Sequence, residues 1–329
     1  MHVLVTGGAG YIGSLLTGSL LARGERVTVV DDLLFGGDSL LPYYAFSGFS
    51  FHKRDVTNGD LSPLLEGVDV VYHLAALVGF PACQSAGESV AFRLNVAATR
   101  LVFESAERAG VARFVFASTY SNYGVARDGV PVNEESALFP QSLYARTKIA
   151  AEEYLLGRAR ESRIAVVIPR FTTLFGVSPR TRFDLIVNQF VLEAMTRRKL
   201  ILYQGNYRRS FLHVQDVVRA LILFALAPDR DVRNEVFNVG DEQGNYSKSE
   251  IVALVQNAVA ELEIEYRDIS FGGDMRDVAV SCRKIRERLG FEATLGVDRG
   301  ITEVRDAIAM GLIRDPQSDR YRNHTFIVH

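Results

Sequence analysis

A doubly wound α/β protein, with a mainly parallel sheet and a smaller C-terminal lobe, is the fold this sequence predicts. Three observations lead to it. Short apolar runs alternate with longer segments whose apolar residues recur at helical spacing, the pattern of successive β-α-β units. The first run leads straight into a glycine-rich turn and a helix. After Pro169 the alternation stops and arginines and loop residues accumulate, which marks a second lobe.

The strands, in order, are His2–Thr6, Arg26–Asp31, Phe49–Lys53, Val68–Leu74, Arg113–Ser118 and Ile164–Pro169. Each is short and apolar, as a strand covered by helices on both faces must be. Helices are expected at Tyr11–Arg23, Glu88–Ala109 and Ser142–Arg160, with right-handed crossovers. Beyond Pro169 come the loop segments Ser178-Pro179-Arg180-Thr181-Arg182 and Asn206-Tyr207-Arg208-Arg209. A helix near Val214–Leu226 and a strand near Glu235–Val239 predict a return to the main sheet over 210–240. Ser247-Lys248-Ser249-Glu250 is a capping box that opens another helix. Ser281 precedes one over Cys282–Leu289, which Gly290 is placed to end. The expected division is residues 1–170 with that return, and a lobe built mainly from 171–329.

At 329 residues and 48% hydrophobic, the chain can bury a sizeable core. Its 37 basic and 39 acidic residues leave a formal charge of −2, so nothing global draws it to nucleic acid or an anionic membrane. The apolar run Ala220–Pro228 lies between Arg219 and Asp229 and is far short of the roughly 20 residues a membrane span needs. Cys83 and Cys282 are too few for a disulfide framework or a zinc site, and both read as packed core residues. No bound metal is expected. The first strand starts too early to leave room for a signal peptide, so a cytoplasmic location is expected.

Gly7, Gly10 and Gly13 follow the first strand, and Tyr11 and Ile12 begin the helix. Glycines at this spacing permit a tight turn, close approach of a pyrophosphate and close helix–sheet packing, the fingerprint of a Rossmann dinucleotide site. Asp31 ends the second strand, roughly 20 residues on, where a carboxylate accepts the adenosine ribose hydroxyls and repels a 2′-phosphate. The expected cofactor is therefore NAD rather than NADP, with Asp32 able to share the role. Tyr144 and Lys148 stand four apart in Tyr144-Ala145-Arg146-Thr147-Lys148, on one helix face. A free tyrosine titrates near ~10 and is a poor base; an adjacent ammonium favours its phenolate, and a shift of ~3 units needs ~4 kcal/mol. Such a pair occurs by chance on many helices, but beside a dinucleotide site it points to redox chemistry on a hydroxyl group.

Further motifs follow in order: Arg54-Asp55-Val56, His73-Leu74-Ala75-Ala76, Asn95, Ser118-Thr119, Tyr123-Gly124, and Arg209-Ser210-Phe211-Leu212-His213-Val214-Gln215-Asp216. With these the chain resembles, over nearly its whole length, the extended short-chain dehydrogenase/reductases, in the nucleotide-sugar epimerase and dehydratase branch typified by UDP-galactose 4-epimerase. The resemblance implies that Asp55 and Val56 line the adenine site, that Leu74, Ala75 and Ala76 pass under the cofactor, and that Asn95 holds the active-site helix. It implies that Thr119 hydrogen-bonds the reacting sugar oxygen, that Tyr144 takes its proton, and that Lys148 binds the nicotinamide ribose and supports Tyr144. Arg209 matches the arginine that contacts the nucleotide diphosphate. Arg180, Arg182 and Arg276 are further candidates for a diphosphate or an acidic sugar substituent, and His213 reads as structural. A homodimer through Glu88–Ala109 and Ser142–Arg160 is also implied.

Two departures bear on the reaction. Where 4,6-dehydratases carry an Asp-Glu pair after the threonine, this chain has Tyr120 and Ser121, and Thr173 replaces an asparagine of the epimerases. These three are assigned to the substrate site. The reading that asks least of the sequence is an NAD-dependent nucleotide-diphosphate-sugar epimerase inverting C4 through a 4-keto intermediate. A net dehydrogenase or reductase, a dehydratase, and a non-catalytic NAD-binding regulator remain the alternatives.

Overall fold

The computed structural model describes residues 1–124, 130–203, 205–267 and 278–323; the predicted Arg276 lies outside them. The strands are β1 (His2–Thr6), β2 (Arg26–Asp31), β3 (Phe49–Lys53), β4 (Val70–His73), β5 (Arg113–Phe116), β6 (Ser118–Thr119), β7 (Ala165–Phe171), β8 (Thr173–Phe175), β9 (Lys199–Tyr203), β10 (Arg208–His213), β11 (Glu235–Val239), β12 (Asn245–Ser247) and β13 (Glu263–Arg267). The helices are α1 (Tyr11–Ala22), α2 (Phe80–Ala86), α3 (Glu88–Phe92), α4 (Ala98–Ala109), α5 (Leu143–Ala159), α6 (Ile186–Arg197), α7 (Val214–Leu226), α8 (Asp229–Val232), α9 (Lys248–Ala258), α10 (Arg283–Leu289) and α11 (Val297–Ala309).

The main sheet runs β11-β7-β5-β4-β1-β2-β3, with β6 also on β7, and every pairing in it is parallel. Because successive strand residues face opposite ways, Val3 and Val5 pack in the core with Leu16 and Leu20 of α1 and Leu221 and Phe224 of α7. Leu4 belongs to the other core, with Phe103 of α4 and Leu155 of α5. Burying each such side chain stabilises the fold by roughly 1.5–3 kcal/mol. From β1 the chain goes first to β2 on one side and later to β4 on the other. The crevice at the strand ends there is where open α/β sheets take their ligands.

Most of the later chain forms a separate packing unit. It has a three-stranded sheet, β12-β10-β8, and a parallel pair, β13-β9. Phe175, Phe183, Val191, Leu200, Phe211, Ile251 and Val304 are buried among them. β10 sits in this smaller sheet, while α7 packs on the main core and β11 pairs with β7 at the edge of the main sheet.

Three expectations are corrected. The segment 88–109 is not one helix: α3 and α4 flank a π turn at Arg93–Ala97, and its extra residue is invisible to an averaged helical period. The strand expected over 113–118 breaks at Ala117, and Ser118–Thr119 shifts to pair with β7. The helix expected from Cys282 begins at Arg283, with Cys282 at its N-cap, and ends as expected at left-handed Gly290.

Candidate active site

The ends of β1 and β4 open onto a cleft of about 1150 Å³, walled on its far side by α6 and the chain between β7 and α6. Gly7 adopts a left-handed φ of 71°, and a Cβ there would stand 2.7 Å from the Ala75 amide nitrogen. One on Gly13 would run into the Gly7 carbonyl. Glycine is therefore required at both. Gly10 is the N-cap of α1 and places no side chain over its first turn, so the helix's leading N–H groups and positive dipole end face the cleft. This cradle fits the pyrophosphate of a dinucleotide. Asp31 ties it to the next strand, accepting from Ala9 N at 3.0 Å and from Leu33 N at 2.8 Å. Burial raises its pKa.

Lys148 is buried, and its Nζ donates to the Ala117 carbonyl at 2.9 Å, the residue where the predicted strand breaks. The ammonium lies 4.6 Å from the centre of the Phe116 ring and 6.0 Å from that of Tyr144. Burial lowers its pKa to about 8 despite the attraction of Cys83 and Glu152. The helix is set by Ser142, whose side chain accepts from Ala145 N at 3.1 Å. Thr119 lies at the end of β6; its Oγ1 donates to Ser121 Oγ at 2.9 Å and accepts from Ser121 N at 3.1 Å. Thr119, Tyr144 and Lys148 thus share one wall of the cleft.

Two buried networks hold that wall. In the first, Asn95 Nδ2 donates to Leu77 O and to Thr147 Oγ1, both at 3.0 Å. Asn95 Oδ1 accepts from Leu77 N at 2.7 Å, so the π turn joins the loop after β4 to α5. Thr99 Oγ1 donates to Asn95 O at 2.7 Å, spending its only proton, so it must accept from His73 Nε2 at 3.0 Å. That leaves His73 Nδ1 to accept from Thr6 Oγ1 at 2.8 Å. His73 is neutral, and burial lowers its pKa to about 3.

In the second, Glu152, one turn beyond Lys148, pairs with Arg170 at 2.5 Å and takes bonds from Asn122 Nδ2 at 2.9 Å and from Ser118 Oγ. Arg170 continues to Tyr123 OH at 2.9 Å, and Tyr123 to Asn238 Oδ1 at 2.7 Å. A buried pair like this adds little net stability but is costly to break on one side, by roughly 3–5 kcal/mol. It fixes α5 against β6, β7 and β11. Glu152 was not among the predicted residues, although its spacing of four from Lys148 was there to be read.

Among the described residues, the predicted cofactor and substrate positions line this one cleft, with two exceptions. Asn95 stands behind it, tying loop to helix. Tyr120 is buried with its hydroxyl 2.6 Å from Thr173 Oγ1, because the turn after β6 rotates it away and leaves Ser121 facing the cleft. Asp32 and Asp55 accept from the amides two residues on, Leu34 N and Thr57 N, in turns at the cleft rim. Tyr11 gives its hydroxyl to Gly176 O at 2.8 Å, so its side chain braces the two lobes. Arg182 is paired with Asp184 at 2.8 Å. Cys83 is buried outside the cleft lining, its Sγ donating to Leu77 O at 3.3 Å, and burial raises its pKa to about 11. His213 contacts Glu303 at 2.9 Å and accepts from Gln215 N at the start of α7, a structural arrangement. Missed residues include Phe35, Thr172 and Asn323, which also line the cleft. Among the described residues no cluster of three metal-binding side chains is present, and no helix is long and apolar enough to cross a membrane.

A glycine cradle beside a Tyr–Lys helix on a parallel sheet defines a dinucleotide-dependent enzyme acting on a hydroxyl-bearing substrate. The chain belongs to the NAD dependent epimerase/dehydratase family, whose model it matches over residues 3–240. It is 31% identical over 316 residues to a dTDP-glucose 4,6-dehydratase of Streptomyces niveus, covering 92% of this chain and 91% of that one. It is 28% identical over 313 residues to an uncharacterised UDP-glucose epimerase of Bacillus subtilis (strain 168), covering 92% and 96%. Among solved structures, MoeE5 in complex with UDP-glucuronic acid and NAD superposes with a TM-score of 0.82 at 32% identity, covering 94% of this chain and 100% of that one. NAD is the family's cofactor, and its members include nucleotide-sugar epimerases, dehydratases and decarboxylases.

Proposed function

We propose that the protein is a nucleotide-diphosphate-sugar epimerase that inverts the C4 hydroxyl through a 4-keto sugar. The observation that carries this reading is the turn after Thr119. The dehydratase acid–base pair is replaced by Tyr120, engaged with Thr173, and by Ser121, engaged with Thr119, neither of which suits water elimination. In this reading Tyr144 takes the C4 hydroxyl proton and returns it, and Thr119 holds the same oxygen. Lys148, pinned on Ala117 O, holds a positive charge 6.0 Å from the centre of the Tyr144 ring, which favours the phenolate that can accept this proton. The glycine cradle and Asp31 would hold NAD, which when bound would supply the acceptor and donor for the C4 hydrogen. Inversion then requires only that the ketone present its other face, with no further acid or base. Arg209 at the substrate end suits the diphosphate.

The test is incubation with UDP-glucose, dTDP-glucose and UDP-glucuronic acid, followed by mass spectrometry and proton NMR. The expected product has unchanged mass and an inverted C4 proton signal. Loss of water, loss of carbon dioxide, or stoichiometric accumulation of NADH would overturn the epimerase reading.

A further inference from the structure

Arg180 was a candidate for the substrate's diphosphate or for an acidic sugar substituent. The structure places it in the cleft wall among neutral partners. Its guanidinium lies 4.2 Å from the centre of the Phe35 ring, and Phe35 belongs to the loop that follows β2 and Asp31. That loop curls back because Leu33 and Gly36 both take left-handed φ values, 63° and 86°. On the opposite side the last described stretch of chain holds the same group: Nη1 donates to Asn323 Oδ1 at 2.7 Å and Nη2 to Arg320 O at 3.1 Å. Arg320 in turn pairs with Asp38 at 2.6 Å, just beyond the Phe35 loop.

Both of these acceptors are neutral. Among the described residues no carboxylate comes within ion-pair distance of Arg180, which is only 5% exposed, and its Nε–H is buried without a partner. Burial lowers its pKa to about 10; Asp31 and Asp184 attract it from farther off, while Arg182 and Arg320 repel it. A guanidinium taken out of water without a counter-ion is costly, and it lines the cleft. An anion entering the cleft would complete it.

Two diphosphates could be that anion, one from the cofactor and one from a nucleotide sugar. The neighbours favour the first. Phe35, on which the guanidinium stacks, follows Asp31 by four residues, and Asp31 is hydrogen-bonded to Ala9 of the glycine loop, so Arg180 packs against the loop that is anchored to the pyrophosphate cradle. Arg209, by contrast, comes from β10 in the smaller sheet.

We propose that Arg180 is a cofactor-binding residue that closes the second lobe over the pyrophosphate of NAD, with Phe35 and the 320–323 segment holding its guanidinium in place. The planar fork suits two phosphate oxygens. The proposal rests on NAD as the cofactor, which NAD binding by the parent protein checks separately.

The experiment is calorimetric titration of the parent, Arg180→Gln and Arg180→Lys with NAD, ADP, adenosine and UDP, with circular dichroism as the folding control. Arg180→Gln should weaken NAD and ADP by roughly 10- to 100-fold, the worth of charge-assisted hydrogen bonds. Adenosine and UDP should change little, and Arg180→Lys should recover part of the loss. An equal loss for adenosine would show that Arg180 only shapes the loop, and a loss confined to UDP would assign it to the substrate. Unchanged binding of all four ligands would also overturn the proposal. A parent that binds no NAD would instead sink the cofactor reading itself.

Discussion

Tyr144 is the residue on which the proposed chemistry turns, and its substitution by phenylalanine removes one oxygen while the ring keeps its place on α5. Conversion of the nucleotide sugar, followed by NMR, should fall by roughly 10²–10⁴-fold, the usual worth of a positioned proton-transfer group. NAD affinity and the circular dichroism spectrum should stay at parent values. Conversion at the parent rate would mean that another group takes the proton. Tyr144 and Lys148 were legible because helix spacing is local. So was the placement of Gly7, Gly13 and Asp31 at the cleft, which follows from chain geometry within one β-α-β unit. Tyr120 was not, because the side of the cleft a residue faces after a two-residue strand depends on the turn that follows. Arg180 was legible as a cation in a loop, but its neighbours Phe35 and Asn323 come from distant parts of the sequence.

The elements carry a dependence on pH that the sequence did not disclose. β1, β4 and the π turn are linked through Thr6, His73, Thr99 and Asn95, and the link needs neutral His73, acceptor at Nδ1 and donor at Nε2. The folded-state pKa of about 3 lies below the ordinary 6.5, so between those values the unfolded chain binds the extra proton and the folded one does not. Stability therefore falls as pH drops through 6.5 toward 3, by about 2 kcal/mol at pH 5 from this residue alone. Urea denaturation of the parent and of His73→Gln from pH 7 to 5 checks this. The variant should be less stable at pH 7 but lose less on acidification; parallel slopes would refute the assignment. Of the elements, β1, β2, β3, α7 and β11 match their predicted bounds, because apolar runs between turn residues define them. The π turn was missed because a single extra residue is set by what Asn95 must reach, the Leu77 loop and Thr147, and neither is near it in sequence.

For the whole molecule, the division into a parallel sheet and a later lobe was readable where the strand–helix alternation stops. The return of α7 and β11 was readable too, since both are strongly apolar. The closing of residues 320–323 onto Arg180 was not, because it depends on tertiary contacts between polar groups. Assembly is the last property the helices bear on. α4 and α5 lie side by side, with Arg100 stacked on Tyr154 at 4.9 Å, Tyr154 OH donating to Glu104 at 2.9 Å and Arg158 paired with Glu107 at 2.6 Å. These contacts order the outer surface of the helix pair. Leu101 remains 37% exposed on it, an apolar group that a second copy could cover. Two such pairs meeting about a twofold axis would form a four-helix interface, and a stable one would bury roughly 1,200–2,000 Å² in total. The expected result from light scattering at micromolar concentration is a dimer for the parent. Leu101→Arg would set like charges beside the axis and should weaken the association at least tenfold, leaving the circular dichroism spectrum unchanged. A parent that is monomeric throughout this range, or a Leu101→Arg protein that dimerises as tightly as the parent, would exclude this face as the interface.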